Sequence, residues 1–187
     1  MMQRLFLDII PFKSYADAPG PSKQISLEKI QVEILIALGR YIPPPETIPP
    51  GRRGPVILAY DTTFEFLEIL NKFLRGESSA AALVPLDHFL VMQPFDRTRV
   101  KLFIQYNVAI VPEHNQTPSF IISFEELSRE ILLFAINVYE YFLEVDPSLE
   151  SDLEMLCNAI DKTKTAVEEY LGIENLLRFP AEDEKED

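Results

Sequence analysis

Between Ile131 and Tyr139 the chain carries a single polar residue, Asn137. The stretch belongs to a longer segment, Ser123 to Val145, in which Leu127, Ile131, Phe134, Val138, Tyr141 and Val145 form one stripe and Leu132, Leu133, Ile136, Tyr139 and Leu143 occupy others. A helix that is apolar nearly all round has no face to give to water, so it belongs at the centre of a core or in an interface. The rest of the chain must be arranged around it. Ser123-Phe124-Glu125-Glu126 predicts its start as a capping box, with Ser123 accepting from the third helical amide and Glu126 reaching back. Asp146-Pro147-Ser148 stops it and opens another helix, where Leu149, Leu153, Leu156, Ile160, Thr163, Val167 and Tyr170 step by four and three until Gly172. The short connection predicts an antiparallel helical hairpin at the C-terminal end.

Upstream the period changes to two. Ile30, Val32, Ile34, Ile36 and Leu38 alternate with other residues, as do Val100, Leu102, Ile104, Tyr106, Val108 and Ile110. That is the pattern of strands with one buried face. Leu5 to Ile10 reads as a first strand, and Val56 to Tyr60 and Phe120 to Ile122 as short ones. Leu83 to Met92, broken by Pro85, reads as an irregular or edge strand joined to the next by a hairpin at Gln93 to Asp96. A helix capped by Asp61 or Thr62 should run to about Arg75 and end at a left-handed Gly76. Gly39 to Pro55 holds six prolines and is expected to be an exposed loop. The expected fold is α+β: an antiparallel sheet of about five strands packed against helices. With 187 residues, 47% of them hydrophobic, the length suits a single domain over 1–180, with residues 181–187 as a disordered acidic tail.

Charge is distributed unevenly. Before Ser123 there are 12 acids and 12 bases, whereas from Ser123 onward there are 18 acids and 5 bases, which accounts for the whole net charge of −13. A field of that sign repels nucleic acid and anionic lipid and speeds encounter with a basic protein. It also keeps a protein in solution, which is the plainer role of such charge. The longest apolar run, Ile131 to Ile136, is far short of the roughly 20 residues a membrane-spanning helix needs. Met1 to Asp8 does not make a signal-peptide core, so the cytoplasm is the expected compartment.

Phe66-Leu67, Leu70, Phe73-Leu74 and Gly76 are followed by Leu86-Asp87-His88-Phe89, Val100 to Ile104 and the Ser123 to Leu127 helix start. In that order, over roughly residues 64–145, they give a pattern that resembles small bacterial α+β proteins of the kind that include immunity proteins of polymorphic toxin systems. The resemblance implies a non-enzymatic inhibitor that blocks a toxin through an acidic face. It fixes no contact residue.

No Gly-x-Ser-x-Gly, phosphate-binding loop or dinucleotide-binding motif is present, and no catalytic residue or cofactor is assigned. His88 beside Asp87 and His114 beside Glu113 have the ligand types of a metal site, but neighbours on a strand point to opposite faces, so no metal is assigned either. Cys157 lies beside the apolar seam, where a small buried thiol is the ordinary role. Arg97, Arg99 and Lys101 form a basic stripe better suited to pairing with helix carboxylates or covering an edge strand than to nucleic acid. The Pro43 to Pro55 loop has the spacing that polyproline-binding domains recognise. The absent motifs favour a cytosolic binding protein whose acidic residues Glu150, Asp152 and Glu154 meet a basic partner. The alternative is a ligand-binding domain or enzyme with a pocket between sheet and helix, using Tyr60 and His88. A third possibility buries the Leu149 to Tyr170 seam and the apolar helix across a homodimer.

Overall fold

The computed structural model describes residues 5–10, 30–38, 56–83, 88–106 and 116–177. Asp87, Glu113, His114, the Pro43 to Pro55 loop and the tail at 181–187 lie outside them. The described strands form two antiparallel sheets, not one sheet of about five strands. The first contains β1 (Leu5–Ile10), β2 (Gln31–Leu38) and β3 (Val56–Leu58), in that order. The second contains β4 (Ser79–Ala82), β5 (His88–Pro94), β6 (Arg99–Tyr106) and β7 (Phe120–Ser123), also in chain order. Among the described residues three α-helices accompany the sheets in an α+β fold: α1 (Ala59–Leu74), α2 (Phe124–Val145) and α3 (Glu154–Leu171).

The strand read from Leu83 to Met92 is found as His88–Pro94, and a strand the pattern did not suggest precedes it. Ser79-Ala80-Ala81-Ala82 is a separate edge strand that its composition conceals, since alanine and serine have little intrinsic preference for a sheet. His88–Pro94 lies inside the sheet, between β4 and β6, and is not an edge. Leu90, Met92, Val100, Leu102, Ile104 and Ile122 alternate toward the core and are buried, as period two requires.

Helix α1 begins at Ala59, directly after β3, so neither Asp61 nor Thr62 caps it; Leu58 stands at that position with no side-chain bond. Thr62 and Thr63 are buried instead, and Thr63 Oγ1 donates to the Ala59 carbonyl at 2.7 Å. The other end is as expected. Gly76 has φ +74°, its N–H bonds the Phe73 carbonyl, and the Glu77 N–H bonds the Lys72 carbonyl, which together close the helix with two bonds.

Helix α2 is the centre of the molecule. It touches β1, β7, α1 and α3, so it links the first sheet to the other helices. Leu127, Ile131, Leu132, Phe134, Ala135, Val138 and Phe142 are all fully buried. The α3 seam Leu149, Leu153, Leu156, Ile160, Thr163 and Val167 is buried within the same chain, against α1 as well as α2. Of the seam from Leu149 to Tyr170 only Tyr170 keeps solvent exposure, at 39%, so a homodimer cannot bury the whole seam.

Candidate functional site

The capping box forms in half. Ser123 Oγ accepts from the Glu126 N–H at 3.0 Å. The Glu126 carboxylate turns away from Ser123 and takes the Leu5 N–H at 3.3 Å, while Glu130, one turn later, takes the Leu7 N–H at 3.3 Å. On the opposite side Glu65 of α1 accepts the outward N–H of Ala82 at 3.4 Å. Helix glutamates thus occupy edge-strand donors in both sheets, and these acids have structural work.

At the entry to α3 one acid has such work and three do not. Asp146 Oδ1 accepts from the Ser148 hydroxyl and N–H, and that pair, hydroxyl first, holds its carboxyl below the ordinary range. Pro147–Ser151 then makes one 3₁₀ turn into α3. Glu150, Asp152 and Glu154 are all exposed. Asp152 and Glu154 line a groove of about 520 Å³ between α3 and Phe64 of α1, with Met155, Asn158 and Lys162. Met155 is 64% exposed, the most exposed of the large apolar side chains among the described residues. Glu150 is not part of that lining. It lies instead near Tyr139, whose phenol is pushed up by burial first and then by Cys157 and Glu150.

Tyr60 stands behind the groove. Its half-buried ring meets Phe64 edge-on at 5.0 Å and Phe142 at 6.3 Å, so it supports the wall without lining the space. His88 opens β5, half-buried, with both ring nitrogens shielded from solvent and its carbonyl accepting the Leu83 N–H at 2.9 Å. The structure does not bring it to the groove with Tyr60. Cys157 is half-buried on α3. Among the described residues, no group of three or more His, Cys, Asp or Glu side chains could hold a metal ion, and no helix is long and apolar enough to cross a membrane.

The basic stripe is also redistributed. Arg99 pairs with Asp96 inside the β5–β6 turn, at 2.6 Å, and not with a helix carboxylate. Asp96 also accepts from Thr98 and the Arg99 N–H, and the Arg99 guanidinium followed by the Thr98 amide lowers its carboxyl to about 2. Lys101 lies over the Phe103 ring at 5.9 Å on an interior strand, so it covers no edge. Arg97 lies in the turn itself, exposed, with its carbonyl accepting the Tyr170 hydroxyl at 2.9 Å.

Sequence reasoning reached Asp152 and Glu154 but missed Phe64, Met155 and Asn158. The available signal was Met155, a large apolar residue that falls off the buried seam directly after Glu154. No protein-family model, curated protein or solved structure matches the chain.

Proposed function

We propose that the protein is a non-enzymatic cytosolic binding protein whose groove between α1 and the start of α3 receives a basic protein. The single observation that carries this reading is Met155, left open to solvent in a groove that it lines together with Asp152, Glu154 and Phe64. An exposed apolar side chain in a groove lined by two carboxylates and Lys162 has the anatomy of a binding anchor with a polar rim. The carboxylates select a basic surface and raise its encounter rate, while methionine, unbranched and polarizable, adapts to the apolar side chain that enters. Glu150, on the adjacent turn, adds to the field from outside the groove.

In this reading α2 and α3 act as a helical hairpin, with the buried seam holding α3 rigid while its outer face stays free. The resemblance to immunity proteins gives the reading its specific form, a chain that blocks a basic toxin domain by occupying it. A surface groove is preferred to an inner pocket because Leu90, Leu102, Phe66 and Phe134 fill the space beneath the second sheet. The test is a photo-crosslinking residue placed at Asn158 in living cells. The reading expects one basic protein joined to it and loss of that product when Asp152 and Glu154 are both changed to Arg; an identical product pattern from the charge-reversed protein would overturn it.

A further inference from the structure

Helices α1 and α3 run side by side in the same direction. Phe64 shares a groove with Met155 and Lys162 at one end, Asn71 Nδ2 donates to Thr163 Oγ1 at 3.3 Å in the middle, and the Phe73 ring meets Tyr170 edge-on at 6.0 Å at the other end. The two ends differ in chemistry. The first places Asp152, Glu154 and Lys162 around Met155. At the second the Tyr170 hydroxyl bonds the Arg97 carbonyl, which fixes the β5–β6 turn against the last turn of α3. A second hollow, of about 440 Å³, opens there beside Phe95, Arg97 and Tyr170. Phe95 is 52% exposed and Tyr170 39%.

The nearby cations are not equivalent. Arg75 is held by Glu68 and Glu77, each at 3.1 Å, and Arg99 by Asp96. The Arg97 guanidinium has no ion pair among the described residues. Along α3 the surface therefore carries Met155 with Asp152, Glu154 and Lys162 at one end, and at the other Phe95, with the Arg99 guanidinium 4.8 Å from its ring, beside Arg97 and the Asp96 that Arg99 pairs with. From Met155 to Tyr170 the helix rises about 22 Å, at roughly 1.5 Å per residue.

We propose that this face pairs with the same face of a second copy of the chain, the two α3 helices antiparallel about a two-fold axis near Lys162. In that arrangement Phe95 and Arg97 of each copy meet Met155, Asp152 and Glu154 of the other. Both contacts are made twice and the assembly closes as a dimer. Phenylalanine against a thioether is a favourable pairing, and the charges are complementary. Asp161 and Lys162, adjacent and exposed, pair across the axis. The proposal rests on the same groove as the binding reading and gives it an occupant: a basic protein reaches the groove by displacing the second copy.

The experiment is sedimentation velocity of the full chain across the micromolar range with three variants, Arg97→Glu, the pair Asp152→Arg with Glu154→Arg, and all three changes in one chain. The wild type is expected to dimerise, and each of the first two variants to weaken the dimer by about tenfold or more. An equimolar mixture of those two should recover a heterodimer, and the combined variant should dimerise again, which also shows that the substituted chains fold. A wild type that stays monomeric, or a dimer insensitive to both of the first two variants, overturns the proposal. Arg97→Glu separates the two readings: it leaves the acidic groove intact, so a basic partner that still binds this variant, with a monomeric wild type, removes the second copy and leaves the binding reading standing.

Discussion

The Glu126 carboxylate accepts the backbone N–H of Leu5 across 121 residues of chain, at 3.3 Å. Leu5 lies on an edge strand, whose outward donors are otherwise open to any passing strand. Glu130 repeats the contact at Leu7 one helical turn on, matching the period of two in the strand to the period of the helix. Replacing Glu126 by Ala should cost about 1 kcal/mol in chemical denaturation, the net scale of such a bond. Amide exchange at Leu5 should accelerate while exchange in β6 does not. Unchanged protection at Leu5 would show that the carboxylate does not hold the strand.

Phe73 and Phe124 stack at 3.9 Å with their planes 19° apart, and Tyr170 meets both rings edge-on. The cluster joins the ends of α1 and α3 to the start of α2. Phe124→Ala removes a fully buried ring and should cost about 3–5 kcal/mol. Urea denaturation gives the value, and a loss under about 1 kcal/mol would contradict the packing described.

Asp96 titrates at about 2, below its ordinary 3.8. Because the folded value is the lower one, the stability this group contributes is fully present above about pH 4 and is lost as the pH falls toward 2. A carboxyl-detected NMR titration should place its midpoint near 2, and Asp96→Asn should abolish that part of the acid dependence. A midpoint near 4 would mean that Arg99 and Thr98 do not hold the carboxylate in solution.

Gly76 sits at φ +74° with open space where a Cβ would stand, so the cost of Gly76→Ala is backbone strain alone. About 1 kcal/mol is expected. Gly76→Asn should lose less, because asparagine tolerates the left-handed region. Equal losses would point to an unforeseen clash.

The local features of this chain were legible and the long-range ones were not. Alternation along β6, the apolar faces of α1 and α2, the buried stripe of α3 and the Gly76 terminus all follow from neighbours a few residues apart. Which strand pairs with which depends on contacts that periodicity does not encode, so two sheets of three and four strands read as one. Glu126 illustrates the limit. Its spacing from Ser123 fits a capping box, but the competing donor on Leu5 comes from the far end of the chain. Arg99 likewise finds its acid three residues away in a tight turn and not on a helix. At the candidate site, composition located the acids of α3; only the fold brings Met155 and Phe64 into one groove with Asp152 and Glu154 and leaves Glu150 out of its lining.

Binding of a basic protein in the groove at the start of α3 remains the proposal on which the function rests. The most direct test is titration calorimetry of the crosslinked partner, once purified, against the wild type and the variant with Asp152→Arg and Glu154→Arg, each at low and moderate salt. The account predicts wild-type affinity that falls as salt rises and at least about tenfold weaker binding by the variant, with a flatter salt dependence. Equal affinities and equal salt slopes would contradict it.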